Sequence, residues 1–219
     1  QEDGTRIGTA PMGVDLKRFE RSLPYTPWTR GFEPLRLVAC GRLNVGKGHQ
    51  DLIAAVDLLR KRGLDVTLRI CGEDDHGGDG YRRDLERRIA ELDLTGNVVL
   101  LGAVDESVVR QELAHAHIFA LASHAEAIGV AYMEAMAMEM PVIGSMVGGV
   151  PDLIEDGREG LLVPPADPEA VANAIEKIAC DAALAVRLAQ AARAKVERQF
   201  SSERSARAVI DEIRRRRSR

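Results

Sequence analysis

From about residue 35 onward, short apolar runs alternate with stretches whose apolar residues recur at helical spacing. Leu35–Cys40 reads as a buried strand, and Leu52, Ile53, Val56 and Leu59 then fall on one face of a helix that Gly63 closes. Val66–Cys71 predicts a second strand and Tyr81–Leu92 a charged helix. Asn97–Leu101 and Ile118–Ala122 predict further strands, separated by a helix that Asp105 can cap and that turns Val108, Val109 and Leu113 inward. Met133–Met138 is helical in pattern, Pro141–Ile143 a short strand, Val150–Glu155 a short helix stopped by Gly157, and Gly160–Val163 another strand before three closing helices.

Strands this short, alternating with helices, imply parallel pairing through right-handed crossovers, with both sheet faces covered. The expected fold is α/β, a Rossmann-like doubly wound parallel sheet of about six strands. Ligands of such sheets bind beyond the carboxyl ends of the strands, so the loops after Cys40, Cys71, Leu101, Ala122 and Ile143 are where chemistry is expected. Residues 1–34, with Pro11, Pro24, Pro27 and Pro34, read as an extended lead-in, and 35–219 as one domain with its closing helices. At 219 residues the chain suits one generous domain better than two.

Composition narrows the partners. With 45% hydrophobic and 29% charged residues the chain is of globular type, and a formal charge of −4 gives no global field for nucleic acid or an anionic membrane. Any anion site must be local. The three cysteines, Cys40, Cys71 and Cys180, form no CxxC pair and no cluster with the five histidines, which suits a reducing, cytoplasmic compartment and argues against structural zinc. The richest apolar stretch, Ala116 to Val150, is interrupted by His124, Glu126, Glu134 and Glu139, so no membrane span is predicted.

Two segments could carry chemistry. Gly41-Arg42-Leu43-Asn44-Val45-Gly46-Lys47-Gly48 follows a strand and opens a helix. It nearly spells a P-loop, but Gly48 stands where a hydroxyl would hold Mg²⁺, which speaks against an NTPase. Flexible glycines, two cations and a helix N-terminus still suit a diphosphate, or simply a solvated strand–helix turn. In Glu126-Ala127-Ile128-Gly129-Val130-Ala131-Tyr132-Met133-Glu134, two carboxylates flank a loop and the start of a helix beginning near Ile128. Each could accept from the vicinal hydroxyls of a sugar ring, or merely support the helix dipole and a solvated flank. A third run, Gly144-Ser145-Met146-Val147-Gly148-Gly149-Val150-Pro151-Asp152, is explained by turn geometry alone.

The ordered set Gly41-Arg42…Lys47-Gly48, Gly102-Ala103-Val104, Ser123…Glu126…Glu134-Ala135-Met136-Ala137, Pro141-Val142-Ile143…Gly148-Gly149-Val150-Pro151 and Asp156-Gly157…Gly160-Leu161-Leu162-Val163-Pro164-Pro165 resembles the nucleotide-sugar-binding, C-terminal half of retaining glycosyltransferases of family four, which have the GT-B fold. The likeness runs from about residue 7 to residue 205. It implies a hexosyltransferase using a UDP- or GDP-hexose, in cell-envelope or exopolysaccharide synthesis, with no cofactor and no obligatory metal. Arg42 and Lys47 would hold the diphosphate and neutralise the leaving group, Glu134 would bind the ribose and Glu126 the hexose. Gly41 and the backbone of Ile128, Gly129 and Val130 would approach phosphate or hexose, and Val104 would lie against the base. The glycan or lipid-linked acceptor would sit on an N-terminal half absent here; Gln1 then reads as a cut end, and the chain alone would bind donor without transferring sugar. The family has Gly directly after the first glutamate, where Ala127 stands; a positive φ there would strain Ala.

Other features stay secondary. His124 is read as a polar loop residue near the site, His115 and His117 as packing or surface, and His49 and His76 as loop or cap residues with no metal geometry. The acidic segment 74–80 would border the donor. Arg214–Arg217 and Arg219 suit a solvated helix end, with peripheral contact at the inner face of the membrane as the alternative. Competing functions are a P-loop-like NTPase, a nucleotide-sugar epimerase of the same fold and a binding module without activity.

Overall fold

The computed structural model describes residues 12–74 and 80–217. Six strands, β1 (Leu35–Cys40), β2 (Val66–Cys71), β3 (Val98–Gly102), β4 (Ile118–Leu121), β5 (Val142–Ser145) and β6 (Gly160–Val163), form one sheet in the order β3-β2-β1-β4-β5-β6. Every pairing is parallel. The strand order reverses between β1 and β4, so the crevice of a doubly wound sheet opens above those two strands. β4 and β5 are buried along their whole length, as central strands covered on both faces must be.

The helices are α1 (His49–Lys61), α2 (Tyr81–Glu91), α3 (Glu106–His115), α4 (Val130–Ala137), α5 (Val150–Leu153), α6 (Pro168–Ala179), α7 (Ala182–Gln199) and α8 (Ser202–Arg217). Right-handed crossovers place α1 and α2 on one face and α3 and α4 on the other; α6 packs beside α1, and α7 beside α4. Local chemistry starts two of them: the Asp167 carboxylate accepts from Ala170 N at 2.9 Å before Pro168 in the first turn of α6, and Asp181 caps Leu184 N of α7 in the same way.

Element types and order follow the hydrophobic pattern, and the differences lie at element ends. The third strand runs one residue later than Asn97–Leu101, because Gly102 continues its pairing with β2 across an irregularity at Ile70/Cys71. α4 begins at Val130, close to Ile128 and three residues before Met133, since Gly129 at φ 78 breaks the helical path before it. α5 is a single turn. Asp105 precedes α3 without a side-chain cap; its carbonyl accepts from Val108 N and Val109 N instead, and of the three residues expected to turn inward only Leu113 is fully buried. Residues 12–34 are fastened to the domain: Val14, Phe19, Tyr25 and Trp28 join the main core, and Val14 bridges to Ser201. The termini before residue 12 and after 217 and the segment 75–79, with His76, lie outside the described residues.

Candidate functional site

The loops leaving β1 and β4 meet over the crevice. His124 N and Ala125 N both donate to Gly46 O, at 2.8 and 3.3 Å, so the second loop hangs on the first. Gly48 lies under that junction at φ 66, and a Cβ there would stand 1.8 Å from Ala122 O. The near-P-loop therefore lacks its hydroxyl for a steric reason: no side chain fits at this position.

Behind the loop, His49 begins α1 fully buried, and burial lowers its pKa to about 4. A neutral imidazole can only donate to a carbonyl, so Nε2 carries the proton and bonds Arg42 O at 3.2 Å. His49 thus holds the Arg42 turn from beneath, a role that a loop or cap reading of the sequence misses. Arg42 itself is exposed at the mouth of the crevice.

Lys47 and Glu126 form an ion pair across the two loops, Nζ to Oε2 at 2.7 Å, with side chains only 20% and 11% exposed. At that degree of burial each charge depends on its partner, because removing one leaves the other desolvated. Next to it His124 Nε2 meets Asp51 Oδ2 at 2.5 Å, so His124 fastens its loop to the first turn of α1.

The third loop, from β5 to α5, closes beneath the second. Gly148 at φ 51 is pressed against Glu126: a Cβ would stand 1.7 Å from Glu126 O. Gly149 N donates to the same carbonyl at 3.2 Å, and its own Cβ position is 2.4 Å from Ala127 O. Turn geometry alone does not account for this pair of glycines; they cradle the backbone that presents Glu126. Ala127 is absent from the positive-φ residues, so it fits its loop without backbone strain.

A cleft of about 480 Å³ opens beside these loops, lined among others by Gly41, Arg42, Val104, Val130 and Glu134. Five residues singled out in sequence converge there. Its remaining wall includes Gly72, whose absent side chain leaves room for Gly41 O (1.9 Å from a Cβ), and Glu73, bound by Arg82 Nη1 at 2.8 Å. Glu134 faces the cleft from the second turn of α4, and burial, with a smaller contribution from the charge of Glu106, raises its pKa to about 7. Ile128 and Gly129 are not part of this lining; they precede α4, whose first amides, those of Val130 and Ala131, have no intrahelical acceptor and can take an anion. Tyr132 holds this helix start in place: its hydroxyl donates to Leu121 O at 2.7 Å, its ring packs edge-on against Phe119, and it fills the space that Gly129 and Gly144 leave.

The arrangement offers a cationic rim, amides at a helix start, a carboxylate pair and an apolar wall, which together suit a phosphorylated, hydroxyl-bearing ligand. Among the described residues no three His, Cys, Asp or Glu side chains gather as a metal site, and no helix is long and apolar enough to cross a membrane.

Comparison with known proteins shows the family. The family model "Glycosyl transferases group 1" matches residues 34–181. The chain is 33% identical over 202 residues to the amylovoran biosynthesis glycosyltransferase AmsK of Erwinia amylovora, covering 90% of this chain and 47% of that protein. It is 31% identical over 205 residues to the putative colanic acid biosynthesis glycosyltransferase WcaL of Escherichia coli, covering 90% of this chain and 48% of that one. The chain therefore spans about half the length of these curated relatives. Among solved structures, the C-terminal domain of a glycosyl transferase group 1 family protein from Francisella tularensis is 25% identical with a TM-score of 0.76, over 87% of this chain and 100% of that one. Anabaena HepE, solved in complex with UDP-glucose, shares the fold with a TM-score of 0.80 at 22% identity, over 92% of this chain and 55% of that one.

Proposed function

Because the chain belongs to the glycosyl transferases group 1 family, with the GT-B type of fold, we propose that it is the donor-binding part of a retaining glycosyltransferase of family four. The enzyme moves a hexose from a nucleoside-diphosphate sugar to a glycan or lipid-linked acceptor in exopolysaccharide synthesis, the setting named for AmsK and WcaL. The acceptor binds on an N-terminal half, so this chain binds donor and does not by itself transfer sugar. The observation that carries the reading is the convergence of Arg42, Val104, Val130 and Glu134 on one cleft beside the Lys47–Glu126 pair, in a fold that HepE uses with UDP-glucose.

In this reading the nucleoside occupies the cleft, with the base against Val104 and the ribose hydroxyls on Glu134. The diphosphate lies between Arg42, Lys47 and the amides that open α4, where fixed donors and cations need no reorganisation as the leaving group gains charge. Glu126 binds the hexose. Its bond to Lys47 gives the pair a shared task, since a bound diphosphate takes up the lysine charge and releases carboxylate capacity toward the sugar hydroxyls. Retention calls for a product with the anomeric configuration of the donor, to be read by NMR of the product of the whole enzyme.

The direct test is binding. A panel of UDP, GDP and ADP sugars raises the melting temperature of the folded chain with at least one member, because a ligand specific to the native state stabilises it. No shift with any of them overturns the proposal. Lys47→Glu weakens nucleoside diphosphate binding more than nucleoside binding, and an unchanged ratio of the two affinities removes Lys47 from the diphosphate site.

A further inference from the structure

The cysteines, scattered in sequence, end in the fold as a pair and a single. Cys40 closes β1 and Cys71 closes β2, and the parallel register sets them directly opposite each other. Paired residues on adjacent strands share a face and stand about 4.8 Å apart. That spacing falls inside the roughly 4.4–6.8 Å between Cα atoms that a disulfide spans. The two thiols are free, and both residues line the cleft that contains Glu134. Cys180, by contrast, is exposed at the end of α6.

The surroundings make the two sulfurs unequal. The neighbouring Cys40 thiol pulls the Cys71 thiol down against the opposing effect of burial, with a smaller contribution from Arg69. Glu112, paired with Arg69 at 2.6 Å, works in the other direction. Cys40 is pushed up by the adjacent Cys71 and by burial, with Glu134 and Glu112 adding to it. One sulfur is thus suited to attack and its neighbour to resolve, the arrangement of thiols that oxidise reversibly.

We propose that Cys40 and Cys71 are a dithiol modification site, which a small hydroperoxide closes into a disulfide across the floor of the cleft. The Cys71 thiolate attacks one oxygen of the hydroperoxide, breaking the O–O bond and becoming a sulfenic acid while the other oxygen leaves as water or an alcohol. Cys40 then gives up its proton and attacks the Cys71 sulfur, expelling the sulfenic oxygen as water. Two thiols lose two electrons and two protons, and the peroxide takes them up. The bridge ties the starts of the 41–48 and 72–74 loops together, since each loop leaves directly from a bridged residue. None of this depends on which ligand the cleft takes.

The test uses the whole chain with Cys180→Ser, so that only the pair can react. Hydrogen peroxide, followed by denaturation and alkylation, takes the free thiols from two to none without alkyl adducts. A cross-linked peptide joins residues 40 and 71, and dithiothreitol restores both thiols. Retention of both alkylatable thiols, or oxygen added to either sulfur without a cross-link, overturns the proposal. With Cys40→Ser added, Cys71 has no resolving partner and is trapped by dimedone; a Cys71 that dimedone never labels refutes its role as the attacking thiol. Peptide mapping of the unsubstituted chain for the 40–71 cross-link decides the matter if either variant fails to fold.

Discussion

Glu134 turns the donor-binding proposal into a pH experiment. Burial moves its carboxyl from 4.5 to about 7, so near neutrality it is only half ionised in the empty cleft. Ribose hydroxyls donate to a carboxylate, and the ionised form accepts more strongly than the acid. With a pKa of about 7, about a tenth of the chain has an ionised Glu134 at pH 6 and about nine-tenths at pH 8. The apparent affinity for donor therefore rises about tenfold over that interval, or about 1.4 kcal/mol. The ligand should be a nucleotide sugar such as UDP-glucose or GDP-mannose, because the esterified diphosphate does not titrate in this range as a free terminal phosphate does. Calorimetric titrations at both pH values, on the chain and on Glu134→Gln, isolate the effect: the variant binds weakly and with no pH trend. Equal affinity of the parent at pH 6 and pH 8 refutes the assignment. Tighter binding at pH 6 replaces it with a protonated Glu134 acting as donor.

The same shift has a stability consequence. Between pH 4.5 and 7 the folded Glu134 holds a proton that the unfolded chain has lost, so its contribution to stability falls as pH rises. Glu134→Gln then gains on the parent from pH 5 to pH 8, by on the order of 1–2 kcal/mol once partial exposure is discounted, read from urea melts at each pH. His49 has the opposite sign: with a folded pKa of about 4 against 6.5 unfolded, it makes the parent lose about 1.4 kcal/mol per pH unit relative to His49→Gln as pH falls through that window, read as the difference between the two proteins at each pH. Gly48→Ser, which completes the P-loop signature, creates no Mg²⁺-dependent phosphatase; the clash with Ala122 O lowers stability by about 3 kcal/mol and the melting temperature by roughly 6–12 °C. Phosphate release by that variant contradicts the steric account. Gly148→Ala displaces Glu126 and lowers nucleotide-sugar affinity more than nucleoside affinity, and an equal loss for both refutes the cradle.

The sheet was legible because each strand is a short apolar run between helical patterns, and alternation of that kind leaves few topologies. Gly41, Arg42, Val104, Val130 and Glu134, separate in sequence, meet on one cleft because the loops after β1 and β3 and the start of α4 all lie at the carboxyl end of the sheet. What escaped is what depends on contact between distant segments. His49 is an ordinary first residue of a helix until the Arg42 carbonyl settles on it. Tyr132 reads as one more apolar position between two glutamates, and only the fold puts its hydroxyl on Leu121 O. Gly148 and Gly149 read as a turn because the carbonyls pressed on them come from more than twenty residues earlier in the chain. The Cys40–Cys71 pairing likewise has no signature in spacing; it is a matter of strand register.

Three glycines share one property: Gly72 beneath Gly41 O, Gly48 beneath Ala122 O and Gly148 beneath Glu126 O each receive a neighbouring loop's carbonyl where a side chain would be. The rim of the sheet is in this sense a row of overlapping tiles running from β2 to β5, each seated on the next. For an engineer who wants to exchange donor preference between relatives, the unit of inheritance is that row. A single transplanted loop arrives without the glycine or the carbonyl that seats it, so productive crossovers fall before β1 and after α5, and the four loops travel as one cassette.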